Sequence, residues 1–423
     1  MTKKIIGLLT LLISLNTIAQ KNNTSPYSFF GVGDYSINKT VEEISMGEVS
    51  GAFNSQFQLS FANPASFASL RLTTYALAGE NKSLQINDGI SKQSGSSASF
   101  SYLALGFPVG DNAGVVFGIQ PNTTVGYSLL QRFTDTNGDL TEINSFTGEG
   151  GTNRVFLGFG HKVGANFNLG AEASYVFGSI ENNLLNRRNG VPLATLQTSS
   201  SDISGIAFKV GAQYQKKVSE KLTLRTGVTL NLNNELTNKG TELRVSTLNV
   251  EDPLPFNYRD TTLIRSFDAL IKNPLKTTLS AGIGEINKWY AGVEYSFQNA
   301  IDFDDELTNN NNTYGYTESN RVSIGGFYTP KFNSISNYWQ RATYRAGLSY
   351  KQTGLMVNST EVNDFGISFG VGLPMGKQLS TINLGFELGK RGETSNGLVK
   401  ENYFNFRVGL SLSDKWFNKR QLD

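Results

Sequence analysis

Histidine and cysteine, the side chains that most often serve catalysis and metal binding, are almost absent from this chain. Among 423 residues there is one histidine, His161, and no cysteine. A Ser-His-Asp hydrolase would depend on His161 as its only base, and metal sites built from histidine or cysteine clusters are excluded. We therefore predict that the protein is not an enzyme and that it uses no cofactor and no metal ion.

Two acidic stretches, Asp135–Glu142 and Asp302–Glu306, offer oxygen atoms of the kind that bind calcium. The glycine of the first stretch comes too early for an EF-hand loop. We interpret both stretches as solvated hairpin tips, because turn residues of this kind are typical of hairpin connections.

The first residues are typical of an exported protein. Lys3 and Lys4 precede an apolar stretch, Ile5–Leu15, which is followed by the small-residue site Thr17–Ala19. A membrane-spanning helix is the competing interpretation, but the apolar stretch is too short for one. We predict a secretory signal peptide over residues 1–19.

The composition does not favour nucleic-acid binding, and it does favour a large β structure. Without the two lysines of the signal peptide, 35 basic residues (37 minus 2) balance 35 acidic residues, and there is no long basic run. The chain has 44 Gly, 28 Phe and 17 Tyr but only 10 Pro. Abundant glycine and aromatic residues with few prolines are typical of an antiparallel β protein.

From about Arg71 onward, apolar and polar residues alternate in segments that breaks separate. Residues 167–177 are an example: the odd positions are apolar, including Phe167 and Tyr175, and the even positions 168–174 are polar or glycine. This period of two predicts strands with one apolar and one polar face. We predict fourteen strands, near residues 71–86, 97–107, 112–127, 152–163, 166–184, 203–218, 221–240, 273–286, 289–300, 318–330, 341–357, 362–374, 379–390 and 400–417.

The connections between these strands alternate in length, which identifies the fold class. Short connections such as 164–166 and 287–288 alternate with long ones, which include 128–151, 185–202 and 241–272. A soluble secreted β protein has no reason for this pattern, whereas an outer-membrane barrel has short periplasmic turns and long extracellular loops. The predicted fold is all-β, a 14-stranded antiparallel transmembrane β-barrel in the cell outer membrane. It covers residues 71–417, and 418–423 form a periplasmic tail.

The three tryptophans agree with this topology. Trp289 opens the ninth strand, Trp339 lies in the turn before the eleventh, and Trp416 closes the last strand. All three are therefore expected at the periplasmic interface, where barrels carry an aromatic girdle.

Residues 20–70 precede the first strand and are apolar but irregular. Within Ser60–Leu70, Pro64 lacks a backbone donor and restricts Asn63 before it, which suits neither a helix interior nor a central strand. Such a segment can pack inside the lumen, because irregular backbone at membrane depth is tolerated when protein covers it. We predict an N-terminal lumenal hatch or plug. A periplasmic leader that merely enters the first strand is the alternative.

On these residues the chain resembles the FadL-type (long-chain fatty-acid transporter-like) family of outer-membrane β-barrels. The resemblance rests on the glycine-rich stretch Met46–Phe53, the tripeptide Asn63–Ala65 and the fourteen-strand layout. The stretches Ser25–Asp34 and Asp414–Arg420 are similar to a Bacteroidota branch of that family. The resemblance implies a hatch inside the barrel and hydrophobic substrates that leave sideways into the bilayer.

Pro121 is the one proline inside a predicted strand, the third. A proline there removes a ladder hydrogen bond and demands a bulge or an edge. The resembled family has a kink in its third strand that opens a lateral gap, so we hypothesise such a gap here. The alternative is that Pro121 lies above the membrane, where a break is harmless. The predicted substrate path consists of Phe61, Asn63, Pro64, Phe67, Gln120, Pro121 and Asn122.

The polar face of the strands carries charges of both signs. In a lumen, arginines could select a carboxylate headgroup, since their guanidinium groups bind carboxylates in a bidentate manner. Alternatively, the charges pair with one another and with the hatch. Inward glycines leave room for a plug or permit barrel curvature. The predicted lumen charges are Glu172, Lys209, Arg225, Glu294, Arg321, Arg345, Glu387 and Arg407.

Two functions remain open at this point. The first is a transporter that moves small hydrophobic molecules across the outer membrane through the hatch and a lateral opening. The second is a non-transporting accessory subunit of a larger outer-membrane secretion or barrel-assembly complex. The predicted partners are outer-membrane lipids, a hydrophobic small-molecule ligand and, for the second function, partner subunits. The long aromatic turn 331–340 is a candidate docking site, unless Tyr338 and Trp339 are ordinary girdle residues.

Overall fold

A computed structural model of the chain describes residues 23–248, 259–303, 314–375 and 379–415. Fourteen antiparallel strands form a closed barrel, which confirms the predicted fold class. The strands are β1 (Thr73–Asn87), β2 (Lys92–Val109), β3 (Ala113–Thr134), β4 (Leu140–Val163), β5 (Phe167–Arg188), β6 (Leu193–Lys217), β7 (Leu222–Asn231, continued by Asn234–Leu248), β8 (Asp260–Asn273, continued by Lys276–Glu285), β9 (Trp289–Gln298), β10 (Ser319–Tyr328), β11 (Thr343–Val357), β12 (Thr360–Pro374), β13 (Thr381–Arg391) and β14 (Lys400–Asp414).

Each strand pairs with the next along the chain, and the last pairs with the first. The closing ladder between β14 and β1 runs from Lys400–Asn87 to Asp414–Thr73. Closure leaves the barrel without a free edge at this seam. Among the described residues, no helix is both long and apolar enough to span a membrane.

The two faces of the wall differ as the alternation predicts. On β4, Phe156 points inward and is 1% exposed, whereas its neighbour Leu157 points outward and is 58% exposed. On β5, Phe167 and Tyr175 are exposed and Glu172 is buried. A closed barrel with an apolar outer face satisfies its backbone hydrogen bonds between neighbouring strands while that face meets lipid. The protein is therefore an outer-membrane barrel.

The strands extend further than the alternation indicates. Residues 128–151, predicted as a long loop, are mostly strand: β3 continues to Thr134 and β4 begins at Leu140. The loop predictions for 185–202 and for the described parts of 241–272, residues 241–248 and 259–272, are wrong for the same reason. Beyond the apolar band both faces of a strand meet water, so the apolar–polar alternation fades although the ladder of hydrogen bonds continues.

Residues 23–70, the N-terminal segment, contain little regular structure. They include two 3-10 helices, Pro26–Phe29 and Pro64–Ser69, a short strand, Asp34–Tyr35, and one helical turn, α1 (Val41–Ile44). Thr40 caps α1: its side chain accepts from the backbone N–H of Glu43, and the Glu43 side chain accepts from that of Thr40. This capping box fixes where the turn begins.

The N-terminal segment touches inward-facing positions on strands from β2 to β14, so it lies within the barrel. Trp289 opens β9 as predicted, and Trp339 belongs to a 3-10 helix, Tyr338–Gln340, before β11. The predictions for the signal peptide (1–19), Trp416 and the tail (418–423) fall outside the described residues.

Candidate functional site

A ring of glycines on the wall receives the N-terminal segment. A Cβ at Gly114 would collide with the carbonyl group of Phe67, and one at Gly347 would collide with the backbone of Met46 and Gly47. Close approach of a second backbone is a recognised reason for glycine in a strand. The glycine ring, as we name it, consists of Gly106, Gly114, Gly158, Gly160, Gly170, Gly211, Gly227, Gly325, Gly347, Gly370, Gly385 and Gly409.

Inward glycines could leave room for a plug or permit barrel curvature. For most positions, the contacts of the glycine ring favour the first explanation. Gly211 and Gly227, both singled out from the sequence, contact the segment. Gly292 and Gly366 instead lie beside wall side chains, those of Tyr290 and Glu387. The glycines of the ring therefore make room for the N-terminal segment.

Asn63 attaches the segment to the wall. It caps the 3-10 helix Pro64–Ser69, since its Oδ1 accepts from the backbone N–H of Ala65. Its Nδ2 donates to the carbonyl oxygens of Ala212 at 3.1 Å and Val228 at 3.2 Å. The side chain is fully buried, so each of these hydrogen bonds replaces one to water that folding has removed.

Phe61 and Phe67 belong to one apolar cluster between the segment and the wall. Phe61 packs edge-on against Tyr102 and Phe156, with ring centroids 5.1 and 5.6 Å away. Phe67 is 1% exposed and lies against Gly158. These aromatic side chains fill the space beside the glycine ring.

Seven of the eight predicted lumen charges are buried, Arg225 is half-buried, and most of the eight are paired. Glu294 accepts from Lys39 Nζ at 2.7 Å and from Arg321 Nη2 at 2.5 Å, and Glu48 also contacts Arg321. The backbone N–H groups of Ser50 and Gly51 donate to the same Glu294 carboxylate. This cluster joins the N-terminal segment to β9 and β10.

The other predicted charges have partners of their own. Glu172 pairs with Arg154 and with Lys209. Lys209 also donates to the carbonyl oxygen of Phe61 at 2.9 Å. Glu387 pairs with Arg407 at 2.7 Å.

The remaining two arginines meet neutral groups. Arg345 Nη1 donates to Asn383 Oδ1, and Asn383 Nδ2 donates in turn to Glu42 of the segment. Arg225 lies over the rings of Phe53 and Tyr290 at 5.3 and 6.0 Å. A cation over an aromatic face is stabilised by the ring quadrupole, which partly replaces the lost water.

The wall is interrupted at the third strand. The ladder between β2 and β3 extends only from Val109–Ala113 to Leu103–Ile119, although both strands continue far beyond. The ladder between β3 and β4 continues past this point, with a bulge between Pro121 and Thr123. A gap between β2 and β3 thus begins directly before Pro121.

Two neighbours of Pro121 differ in their surroundings. Gln120 is 1% exposed, and neither its Oε1 nor its Nε2 has a hydrogen-bond partner among the described residues. Asn122 donates from Nδ2 to Thr152 Oγ1 at 3.0 Å, and its carbonyl oxygen accepts from the N–H of Ser36.

A cavity of about 490 Å³ adjoins the gap. Of the seven predicted path residues, Phe61, Pro121 and Asn122 line it. The other four, Asn63, Pro64, Phe67 and Gln120, are not among the residues that line it. Ser97 and Ser99 of β2 line the cavity from the other side of the gap.

Metal binding finds no support in the part of the chain that the structure describes, which holds no group of three metal-ligating side chains. In the first acidic stretch, Asp135 accepts from the backbone N–H groups of Asn137 and Asp139, as in an ordinary hairpin tip. The second stretch, Asp302–Glu306, lies partly outside the described residues.

Comparison with known proteins identifies the family. The model of the BamG family matches residues 1–423, the whole chain. The chain belongs to the BamG family. No curated protein matches this BamG-family chain.

The BamG-family barrel also resembles solved structures. The Pseudomonas putida toluene transporter TodX is 17% identical, with a TM-score of 0.57 over 90% of this chain and 99% of that chain. A Pseudomonas aeruginosa FadL homologue is 13% identical, with the same TM-score and coverage. CymD, a monoaromatic hydrocarbon channel, is 14% identical, with a TM-score of 0.58 over 90% and 99% of the two chains. These similarities confirm the FadL-type fold, while the Bacteroidota branch stays a prediction.

Sequence reasoning missed the residues at the gap that come from the N-terminal segment. Asp34 and Tyr35 pair with Thr124 and Thr123 of β3. A strand of two residues has no periodicity that a sequence pattern can register. Arg391, which pairs with Asp34 at 2.7 Å, lies 357 positions away.

Proposed function

We propose that this BamG-family barrel moves small hydrophobic molecules across the outer membrane through the lumen cavity and the gap between β2 and β3. The observation that carries the proposal is the early end of the β2–β3 ladder at Leu103–Ile119, where the cavity meets Pro121. The paired positions 103–109 span about 20 Å along the strand, which at a tilt of about 40° is roughly 15 Å along the membrane normal, against an apolar band of about 25 Å. The gap then begins within the band, in its outer half.

The glycine ring supports a sideways exit. The N-terminal segment fits against backbone on most of the wall strands, so a path straight to the periplasm would have to displace it. In this proposal Asn63, Pro64 and Phe67 seal the periplasmic end, and Phe61, Pro121 and Asn122 line the route. TodX and CymD, which share the fold, are described as a toluene transporter and a monoaromatic hydrocarbon channel.

Uptake into proteoliposomes tests this function, with radiolabelled toluene and a fluorescent hydrophobic naphthylamine as probes. Asn122→Trp adds bulk where the cavity meets the gap, so it should reduce uptake several-fold. Asn137→Trp, at the exposed tip of the β3–β4 hairpin, is the control and should leave uptake unchanged. Wild-type uptake no faster than that of protein-free liposomes, for both probes, would contradict the proposal.

The accessory-subunit function is the second candidate, because the BamG name suggests partner subunits. One surface suits a partner: in the turn 329–342 between β10 and β11, Ile335 is fully exposed and Trp339 is 62% exposed. Exposed apolar side chains in one loop are typical of an interaction site.

Affinity purification from gently solubilised membranes separates the two functions. A large stoichiometric partner that Ile335→Asp releases would favour the accessory subunit. Ile264→Asp is the matched control, because Ile264 is also an exposed isoleucine, on β8 at the opposite end of the barrel. Purification of the barrel alone, with lipid in its lumen, would favour autonomous transport.

A further inference from the structure

Aromatic side chains on the outer face of the wall mark the level of the periplasmic lipid headgroups. Phe167 on β5 packs against Tyr214 on β6, with ring centroids 4.7 Å apart. Trp289 on β9 lies opposite Tyr328 on β10, which in turn lies opposite Tyr344 on β11. Aromatic rings of this kind favour the boundary between hydrocarbon and headgroups. We name these residues, which lie near the periplasmic ends of their strands, the aromatic belt.

Lysines lie directly beyond the aromatic belt on the side of the barrel from β4 to β9. Lys216 follows Tyr214 by two positions on the same face of β6, which is about 7 Å along the strand. Lys288 immediately precedes Trp289 in the turn before β9. The lysine arc, as we name it, consists of Lys162, Lys216, Lys217, Lys221 and Lys288.

The charge of the lysine arc is mostly not neutralised by the protein. The acidic residues among these strand ends and turns are Glu220 and Glu285, so five lysines minus two glutamates leave a net charge of +3. Lys288 pairs with Glu285 at 3.0 Å, but half of the Lys288 side chain is exposed, and exposed pairs contribute little. The other four lysines have no ion-pair partner among the described residues.

Apolar side chains within the arc fix its position relative to the bilayer. Val163 is 47% exposed, Val218 is 52% exposed and Ile286 is 59% exposed, and each lies next to or near a lysine of the arc in the chain. Such side chains are stable in contact with acyl chains, while the lysine stems extend outward to place their ammonium groups in water. The arc therefore lies at the level of the lipid phosphate groups and not out in the periplasm.

The arc occupies only part of the periplasmic rim. The turn between β2 and β3, residues 110–112, contains Asp111 and neither lysine nor arginine. A cation at a membrane surface attracts anionic headgroups over a distance of about one Debye length, roughly 8 Å at physiological salt. The attraction is therefore restricted to one side of the barrel, beginning at β4.

We propose that the lysine arc binds the headgroups of anionic phospholipids in the periplasmic leaflet. A headgroup with a net negative charge offsets the excess positive charge of the arc, whereas a zwitterionic headgroup brings a cation of its own. The apolar neighbours of the lysines favour a lipid over a soluble acidic protein, because they need a partner with acyl chains. The inference depends on neither of the proposed functions, since these lipids meet the outside of the wall.

Quenching of tryptophan fluorescence by brominated lipids tests the proposal at the arc itself, because bromine quenches only at short range. In the full-length protein, Trp339→Phe/Trp416→Phe leaves Trp289 as the only tryptophan. Reconstituted into phosphatidylcholine vesicles, this reporter should bind brominated phosphatidylglycerol several-fold more tightly than brominated phosphatidylcholine. Equal quenching by the two brominated lipids would overturn the proposal.

A second reporter shows whether the preference belongs to the arc or to the whole rim. Val109→Trp, in a chain whose three natural tryptophans are replaced by phenylalanine, places the reporter beside Asp111 at the end of β2. Val109 is 50% exposed, so its replacement meets lipid without disturbing a packed core. This reporter should show no preference between the two lipids, and a preference equal to that at Trp289 would contradict a site on the arc.

Two matched sets of substitutions then test the lysines themselves in the Trp289 reporter. The first replaces the arc by glutamine: Lys162→Gln, Lys216→Gln, Lys217→Gln, Lys221→Gln and Lys288→Gln. The control removes the same charge from the extracellular parts of the barrel: Lys92→Gln, Arg132→Gln, Lys239→Gln, Arg259→Gln and Arg265→Gln. The first set should abolish the preference for phosphatidylglycerol, and the control should keep it. A preference that survives the first set would overturn the proposal.

Ionic strength provides a test that needs no change in the arc. Raising the salt concentration screens exposed charges, so it should reduce the preference of the Trp289 reporter several-fold. A preference that salt leaves unchanged would contradict an electrostatic site even if the fivefold variant failed to fold. No preference in vesicles, with an acidic protein that co-purifies with the wild type but not with the fivefold variant, would assign the arc to a protein partner instead.

Discussion

At the scale of single residues, Glu294 connects the wall to the N-terminal segment. Its carboxylate, buried on β9, accepts from Lys39, Ser50 and Gly51 of the segment and from Ser280 and Arg321 of the wall. A buried carboxylate is stable only when several donors replace its lost water. The position therefore couples the seating of the segment to the stability of the barrel.

Glu294→Gln should destabilise the protein by about 3 kcal/mol, because Lys39 and Arg321 lose a buried counter-charge. The midpoint of urea unfolding in lipid vesicles measures the effect. Asp268→Asn is the control: it breaks an ion pair with Lys239 in which both side chains are more than 60% exposed, and exposed pairs contribute less than about 1 kcal/mol. Equal shifts in the two midpoints would contradict the importance of the Glu294 cluster.

At the scale of elements, the strands were predictable because each meets lipid on one face and protein on the other. That contrast imposes a period of two, and all fourteen predicted segments correspond to strands β1–β14. The strand ends were not predictable, since residues such as Gln131 and Asn144 pair in water without an apolar face. Pro121 gave a local signal for the gap because proline disturbs any ladder.

The N-terminal segment was predictable in outline only. Its apolar residues and Pro64 indicated packing inside the lumen, but its contacts join positions hundreds of residues apart. Asp34 with Arg391 and Ser25 with Glu401 are examples. Irregular backbone has no repeat from which such partners can be read.

The glycine ring leads to a prediction at this scale. Gly211→Val would collide with Asn63 and the Pro64 ring, so it should unseat the segment and raise single-channel conductance in planar bilayers. Gly315→Val is the control, because nothing lies within 4 Å of a Cβ at Gly315. Conductance that stays at the wild-type level in Gly211→Val, in a variant that folds, would mean that the segment tolerates the added bulk.

At the scale of the whole molecule, the barrel is uneven in height. β4 has 24 residues and β9 only 10, while a membrane crossing needs about 9–11. Strands β3 to β8 therefore project beyond the bilayer on one side of the barrel, and the gap lies beside β3, where this taller part begins. The cavity therefore lies next to the point where the barrel wall changes in height.

Arginine substitutions at two leucines of similar exposure test where the bilayer lies on this uneven wall. Leu157, 58% exposed on β4, lies near the middle of the apolar band, so Leu157→Arg should cost about 2–4 kcal/mol. Leu130, 53% exposed on β3, lies in the projecting part, and Leu130→Arg should cost less than about 1 kcal/mol. Urea unfolding in vesicles measures both, and equal costs would contradict the proposed position of the bilayer.

The contacts between the glycine ring and the backbone of the N-terminal segment determine which substitutions this chain can accept during evolution. Gly114, Gly170, Gly227 and Gly325 meet carbonyl groups of the segment, not its side chains. Every amino acid carries the same carbonyl group, so many substitutions in the segment leave these contacts intact. Any side chain at the wall positions destroys them. The wall is therefore the constrained partner, and the segment is free to vary wherever its side chains point away from it.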